Sequence, residues 1–363
     1  MKELLSILGA SADLAEAPQL LDKLVRHAEH TGASDVHIQM RHPEAEIVFR
    51  LDGVMTKPWG VTTELAERLC GRIKFLARLK TYQESLPQDG RIDKSAFGTA
   101  NEIRVATYPT VTGEKIVLRI FGESRVRELA ELELPPDVEA VLESFLARAA
   151  GMLLLTGPAG SGKTTTIYAC LQHVAKSGGR HIITVEDPVE QIIPGIMQTE
   201  TNEARGLTFS QAARHLLRQD PQVLVIGEIR DEETALIALR AALTGHMVIS
   251  TLHAGSCQRV VERLSSFCSD TSLIAGSLDL VINQRLLRRL CANCAGTGCP
   301  HCLDTGYRGR IPLLEFLRVD DSVRAKILTR DFNGILARPT LQDRALALVQ
   351  DGRTSASEIQ RIL

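Results

Sequence analysis

One segment of the chain has the residue types and spacing of a phosphate-binding loop. A strand-like apolar run at 152–155 leads into a full G-x-x-x-x-G-K-T pattern, and a helical stretch begins near Lys163. Glycines let backbone N–H groups turn towards phosphate oxygens, and the N-terminus of the following helix adds its dipole. A glycine-rich turn without a ligand is the alternative. The pattern favours a site for ATP and Mg²⁺, with Thr164 as the Mg²⁺ ligand, and its residues are Gly157, Pro158, Ala159, Gly160, Ser161, Gly162, Lys163, Thr164 and Thr165.

Two carboxylates follow apolar runs that have the pattern of buried strands. Glu186 follows residues 182–185, and Glu228 comes shortly after residues 223–226. Ligands of open α/β sheets bind at the carboxyl ends of the strands. ATP hydrolysis needs one carboxylate to hold the metal and another to orient the attacking water. We expect Glu186 and Glu228 to fill these roles, although either alone could be an acid at a solvated strand end.

Four of the eight cysteines are close together, in two C-x-x-C pairs separated by four residues. The first 17 residues carry acids and lack the basic flank and apolar stretch of a signal peptide, so we expect a reducing compartment in which disulfides are rare. Four thiolates with no open position indicate a structural Zn²⁺ site. An iron–sulfur cluster, His301 as a fourth ligand and reduced free thiols are the alternatives. The predicted zinc ligands are Cys291, Cys294, Cys299 and Cys302, and the remaining cysteines, predicted to be buried and apolar, are Cys70, Cys170, Cys257 and Cys268.

Length and composition describe a globular chain of more than one domain. The 363 residues, of which 44% are apolar and 24% charged, suggest two or three domains. No apolar run approaches the ~18 residues of a membrane-spanning helix. The net charge of −2 and the 4% of aromatic residues disfavour direct binding of nucleic acid.

The helices and strands that must position these residues show two different sequence patterns. Apolar residues recur at helical spacing over 18–30 and 63–80, and Asp52 with Gly53 gives a hairpin signal between alternating strands. This pattern predicts an α+β domain. From residue 137 onward, helices alternate with short strands that are apolar on both faces, which indicates a parallel sheet covered by helices.

Several motifs follow the phosphate loop in order: EDPVE at 186–190, LRQDP at 217–221, GEIRD at 227–231 and the histidine segment at 244–253. Together they resemble the motifs of the type II secretion and type IV pilus assembly ATPases. Others lie upstream at 34–37, 50–53, 88–91, 104–107 and 113–119, and downstream at 305–310, so the resemblance covers roughly residues 20–362. It implies an α/β fold, with a RecA-like P-loop ATPase domain preceded by a smaller PAS-like α+β domain. The predicted organisation is a short N-terminal segment (1–17), the α+β domain (18–122), a linker (123–136), the ATPase domain (137–290), a tetracysteine zinc element (291–310) and a helical C-terminal region (311–363).

The resemblance also implies roles and partners. In that family the glutamate matching Glu186 is the catalytic base, and the one matching Glu228 lies near Mg²⁺. Residues that sense the γ-phosphate match His246 and His253, and arginines that reach the phosphates from the first domain match Arg91, Arg104 and Arg119. The implied assembly is a homo-hexamer that acts on an inner-membrane platform protein and other secretion or pilus components, as a peripheral protein at the cytoplasmic face.

Some features differ from the family pattern. They concern how the chain binds its inner-membrane partner and whether it drives assembly or retraction. The usual N-terminal extension is expected to be absent, and only four residues separate the two cysteine pairs. Retraction motors generally lack the cysteines, which favours assembly or secretion over retraction. Two further functions stay open at this point: a RecA-like nucleic-acid motor, and a nucleotide-binding scaffold that does not hydrolyse ATP. The intact Lys163, Thr164, Glu186 and Glu228 disfavour the scaffold.

Overall fold

A computed structural model describes residues 17–41, 43–100, 102–120 and 125–363 of the chain. Two compact units are present: Met1–Ser124 together with Arg288–Arg310, and Arg125–Leu287 together with Ile311–Leu363. All but the last residue of the predicted N-terminal segment, and part of the predicted linker, lie outside the described residues.

The first unit packs two helices against one face of an antiparallel sheet. Strand order is β3-β2-β1-β7-β6-β5, with β4 pairing to β2. Helix α1 buries the apolar stripe expected from the sequence, which includes Leu21, Leu24 and Val25. Its elements are α1 Ala17–Thr31, β1 Ala33–Arg41, β2 Glu44–Leu51, β3 Val54–Met55, β4 Trp59–Thr62, α2 Thr63–Leu76, β5 Gln88–Ile92, β6 Ile103–Thr110 and β7 Gly113–Ile120.

The predicted hairpin between β2 and β3 forms at Asp52 and Gly53. Both residues have positive φ, +50° and +83°. A tight turn of the type that matches strand twist requires positive φ at both central positions, which an Asp-Gly pair tolerates. The strands pair as Arg50 with Met55 and Leu51 with Val54.

The second unit is built on a sheet with order β10-β9-β11-β12-β8-β13-β14. Its inner strands β8, β9, β11 and β12 are buried along their whole length, as the apolar runs predict, and the ladders from β10 to β13 are parallel. Its elements are α3 Pro136–Leu146, β8 Gly151–Thr156, α4 Lys163–Ser177, β9 Ile182–Glu186, β10 Met197–Glu200, α5 Phe209–Leu216, β11 Val223–Ile226, α6 Glu232–Leu243, β12 Met247–Thr251, α7 Cys257–Phe267, α8 Thr271–Ser277, β13 Leu278–Leu290, β14 Tyr307–Arg318, α9 Asp321–Thr329, α10 Leu341–Gln350 and α11 Ala356–Ile362.

The tetracysteine segment is grouped differently from the sequence-based organisation. It lies between β13 and β14 and is counted with the first unit. Leu303, 5% exposed, belongs to the apolar core of that unit, and the Gly309 N–H donates to Asp52 Oδ2 at 2.7 Å. The region after residue 310 begins with the remainder of β14, so it is helical only from α9 onward. Leu303 and Asp52 are too far apart in sequence for a local pattern to reveal this packing.

Candidate nucleotide site and tetracysteine centre

The phosphate loop connects the buried strand β8 to α4, whose first residue is Lys163. Gly157 has φ +143°, and a Cβ atom there would lie 2.3 Å from the carbonyl oxygen of Gln284. Gly162 precedes α4 in the left-handed region, with φ +88°, and a Cβ atom there would lie 2.8 Å from the Gln284 side-chain nitrogen. Gly157 is therefore required by the close approach of the β13 backbone, and Gly162 is required mainly by its left-handed φ.

Polar groups inside the loop fit a phosphate anion. Lys163 Nζ donates to the carbonyls of Gly157 at 2.8 Å and Pro158 at 3.0 Å. Burial lowers the pKa of Lys163, and the charge of Glu228 partly opposes this effect. Ser161 is 3% exposed, and its Oγ makes no hydrogen bond within the described part of the chain. Buried hydroxyls normally have a partner, so an orphaned one beside the lysine indicates a loop shaped for a polar ligand.

Glu186 ends β9 and is held by three side-chain donors. One carboxylate oxygen accepts from Thr184 Oγ1 at 2.5 Å and from Gln198 Nε2 at 3.0 Å, and the other accepts from the Tyr168 hydroxyl. Burial and this carboxylate together raise the pKa of Tyr168. A carboxylate offers about four lone-pair sites. One acceptor site is therefore left for a water molecule, while the three donors fix the orientation of the group.

Glu228 and His253 meet at the same edge of the sheet. Glu228 follows β11, and one of its oxygens lies 3.2 Å from His253 Nε2 while the other accepts from Arg230 Nε at 2.8 Å. The hydrogen bond that Arg230 donates to Glu228 is the largest cause of the raised pKa of Arg230. The charge of Glu228 raises the pKa of Lys163, so this carboxylate lies within electrostatic range of the loop lysine. Glu228 and His253 are thus in contact at this edge, and their sharing of a site with Lys163 stays a prediction.

His246 lies at the opposite edge of the sheet. It precedes β12, whereas His253 follows it, so the two are separated by a strand of about 17 Å at ~3.3 Å per residue. The ring Nδ1 is 3.0 Å from the carbonyl of Ala241, and the His246 carbonyl accepts from the N–H of Gly151, the first residue of β8. The structure thus does not bring His246 to the phosphate loop of its own chain. Its ring instead lies against the end of α6.

The three arginines predicted from the first domain lie directly opposite one another on β5, β6 and β7. The register continues from Arg119 to Asp35 on β1 and from there to Arg50 on β2. Directly opposed residues share a face. Asp35, 3% exposed, accepts from Arg119 Nε at 2.9 Å and lies 3.4 Å from Arg50 Nε. The face is a basic row with a single acidic member, and its residues in strand order are Arg50, Asp35, Arg119, Arg104 and Arg91.

Sequence reasoning missed two residues of β13 that border the phosphate loop. Gln284 Oε1 accepts from Thr166 Oγ1 at 3.0 Å, which ties β13 to the first turn of α4. The next residue, Arg285, has Nη1 3.2 Å from the position of a Cβ atom on Gly157. Three consecutive polar residues, 283–285, interrupt the apolar run of this strand, and that interruption was the only signal for them.

The four clustered cysteines converge on one point. Their ligand atoms all lie within 4.8 Å of one another, and the sulfurs of Cys291 and Cys299, Cys294 and Cys302, and Cys299 and Cys302 are 3.9, 3.8 and 3.7 Å apart. Tetrahedral thiolates at ~2.3 Å from Zn²⁺ are about 3.8 Å apart, so the arrangement fits that ion. His301 is not in the cluster, and its Nδ1 lies 3.1 Å from Arg308 Nη1.

The acidity of the cysteines also differs with their surroundings. Burial opposes ionisation of Cys294, but hydrogen bonds from the N–H groups of Gly296 and Gly298 and with the thiols of Cys299 and Cys302 together lower its pKa to about 7. Burial raises the pKa of Cys302. The other four cysteines are buried, as predicted, and burial raises the pKa of Cys70 and of Cys170 to about 12. Those four are packing residues and not ligands.

Comparisons with known proteins match most of the chain to one family. A family model described as type II/IV secretion system protein matches residues 10–361. The type II secretion system ATPase E of Vibrio cholerae is 37% identical over 384 residues, covering 97% of this chain and 76% of the relative. Type II secretion system protein E of Pectobacterium carotovorum is 38% identical over 380 residues, covering 96% and 76%.

Solved structures show that the fold is shared more widely. The Legionella pneumophila ATPase DotB matches with a TM-score of 0.70 and 22% identity over 95% of each chain. The pilus retraction motor PilT with bound ADP matches with a TM-score of 0.60 and 24% identity over 94% of this chain and 92% of that one. At these identities the similarity shows the fold alone.

Proposed function

The chain belongs to the type II/IV secretion system protein family and is an ATP hydrolase, and we propose that it drives assembly of a type II secretion pseudopilus or a type IV pilus. The observation that supports this most is the single edge of the sheet at which the phosphate loop, Glu186, Glu228 and His253 are placed. A binding lysine, a metal-side carboxylate and a fixed second carboxylate are the parts that phosphoryl transfer to water needs.

Each residue has a distinct task in the proposed mechanism. Lys163 and the loop N–H groups bind the phosphates, and the Thr164 hydroxyl and Glu228 would hold Mg²⁺, which neutralises charge on the phosphate oxygens when bound. Glu186 orients the attacking water and accepts its proton at the acceptor site that Thr184, Gln198 and Tyr168 leave open. His253 contacts Glu228, the carboxylate that would hold Mg²⁺, so its position would respond to whether the nucleotide and the metal are bound.

We further propose that the working assembly is a homo-hexamer bound to a platform protein at the cytoplasmic face of the inner membrane. Within the described part of the chain, none of the helices is both long and apolar enough to cross a bilayer. The family resemblance supports a role for Arg91, Arg104 and Arg119 in nucleotide binding, and in the first unit these arginines lie directly opposite one another on β5, β6 and β7.

The tetracysteine centre is proposed to hold one structural Zn²⁺. Its sulfur separations match a tetrahedral site with all four positions taken by protein, which leaves no position for substrate. The metal would therefore stabilise structure and take no part in hydrolysis.

Complementation tests the motor function. A strain from which the gene has been deleted should regain secretion or piliation with the wild-type chain and with Arg318→Gln, which changes an exposed arginine at the end of β14. Lys163→Ala and Glu186→Gln should fail although the proteins accumulate normally. Full restoration of export by both of these variants would show that ATP hydrolysis by this chain does not power the process.

A further inference from the structure

Arg285 brings a second positive charge to the phosphate loop. Its Nη1 borders Gly157, the first residue of the loop, at 3.2 Å from the Cβ position of that glycine. The pKa of Lys163 is lowered by burial, raised by the charge of Glu228 and lowered again by that of Arg285, so the two cations are close enough to repel each other. Burial lowers the pKa of Arg285, and the charge of Glu315 raises it in turn. A phosphate anion between the two half-buried cations would relieve the repulsion and the cost of burial that these carboxylates leave.

The hydrogen bonds of Arg285 leave part of its guanidinium unused. Nη1 donates to Asn283 Oδ1 at 2.7 Å and to the Gln284 carbonyl at 3.0 Å, and Nη2 donates to the Gly255 carbonyl at 3.3 Å. All three acceptors are neutral, and among the described residues none forms an ion pair with Arg285. A guanidinium has five N–H donors, so donors on Nε and Nη2 remain. Burial lowers the pKa of Arg285, but an arginine stays charged at neutral pH.

A buried polar network fixes the guanidinium from behind. Asn283 is fully buried, and its Nδ2 donates to Glu315 Oε1 at 2.8 Å, which orients its Oδ1 towards Arg285. Glu315 is 7% exposed, and its second oxygen accepts the N–H of Leu341 at the start of α10 at 3.1 Å. Because Asn283 and both carboxylate oxygens of Glu315 have partners, the network holds the guanidinium of Arg285 in place.

We propose that Arg285 binds the phosphate groups of the nucleotide, with Asn283 and Glu315 as its positioning residues. The arginine supplies the charge and the N–H donors that a polyphosphate takes from a second cation beside the loop lysine. The network also connects the phosphate site to the first turn of α10. This inference rests on nucleotide binding by the loop, which is part of the function proposed above.

Equilibrium titration of the full chain with ATP, ADP and adenosine tests the proposal. A charge-assisted hydrogen bond contributes about 1.5 to 3 kcal/mol, so Arg285→Gln should weaken ATP and ADP binding by roughly 10- to 100-fold, at ~1.4 kcal/mol per tenfold. Adenosine, which lacks phosphates, should bind equally well to both proteins. Arg285→Lys should fall between them, because it keeps the charge and loses the planar fork. Arg318→Gln is the matched control and should bind all three ligands like the wild type.

Glu315→Gln tests the positioning role. It should weaken ATP more than adenosine, by a smaller factor than Arg285→Gln, since it disturbs only the support of the guanidinium. Unchanged ATP and ADP affinities in Arg285→Gln would overturn the proposal, as would an equal weakening of adenosine. If Arg285→Gln fails to fold, the same series with Arg285→Lys decides. Wild-type protein that binds no ATP would overturn the proposed function itself. If Lys163→Ala loses ATP binding but Arg285→Gln keeps the wild-type affinity, only the role of Arg285 is overturned.

Discussion

Removing the metal from the tetracysteine centre should loosen the first unit and leave the phosphate loop intact. The test variant is Cys299→Ser, which deletes one of four ligands and opens the tetrahedron. The segment that carries the ligands contributes Leu303 to the core of the first unit and the Gly309 N–H to Asp52. We expect both contacts to depend on the bound ion, because metal binding in such short segments is coupled to their folding.

The size of the effect follows from these two contacts. Burying a leucine contributes about 1.5 to 3 kcal/mol, and a hydrogen bond to a carboxylate contributes about 1.5 to 3 kcal/mol. Their loss should lower the opening free energy around Asp52 by about 3 to 6 kcal/mol, which is roughly a hundredfold or greater loss of amide protection.

Elemental analysis and hydrogen exchange measure the outcome. Wild-type protein purified without added metal should contain one zinc per chain, and Cys299→Ser clearly less. Exchange should accelerate at Gly309 and in the β2–β3 hairpin, with ATP affinity reduced far less than by Lys163→Ala. His301→Ala is the control and should keep its zinc, since His301 lies outside the cluster. Protein that contains no zinc or a coloured iron–sulfur cluster, or a Cys299→Ser variant with unchanged exchange at Gly309, would refute this reasoning.

Three further predictions concern the nucleotide site and the assembly. Lys163→Ala should abolish ATP binding, whereas Glu186→Gln should remove hydrolysis and leave binding largely intact, because the carboxylate acts mainly in the transition state; near-wild-type turnover of purified Glu186→Gln would contradict its assignment as the base. Gly157→Ala should lose ATP affinity in the same titration, since its Cβ atom would lie 2.3 Å from the Gln284 carbonyl oxygen, and an unchanged affinity would show that this approach can relax. Light scattering with a non-hydrolysable ATP analogue should give the mass of a hexamer, and a monomer at every concentration would count against the motor.

Local pattern was sufficient for the parts of the site that lie within one loop or at one strand end. The phosphate loop needs only its own glycines, lysine and threonine, and the carboxylates needed only the rule that parallel strands end at a common edge. The same rule separates the two histidines, since His246 precedes the strand that His253 follows. The family resemblance implies that both His246 and His253 sense the γ-phosphate. The direction of the strand puts only His253 at the end that carries the phosphate loop.

Residues that depend on the pairing of distant strands could not be found in this way. Arg50 and Asp35 join the basic row only through the register of β1 with β2 and β7. Arg285 reaches the loop because β13 pairs in parallel with β8, so that Asn283 lies opposite Thr156 at the last position before Gly157. The sequence shows that Arg285 interrupts an apolar strand, but it does not show that this arginine lies beside Gly157 of the phosphate loop.

The tetracysteine segment shows how the two kinds of information combine. Cysteine spacing indicates a tetrahedral site, because each C-x-x-C pair turns two sulfurs towards one point without help from the rest of the chain. Its placement depends on Asp52, which is 257 positions from Gly309 and lies in a turn whose Asp-Gly pair is itself locally determined. The carboxylate that permits the tight turn thus also accepts the N–H of Gly309. Replacing Asp52 with Asn should therefore keep the hairpin, since Asn tolerates positive φ, while weakening the attachment of the metal centre.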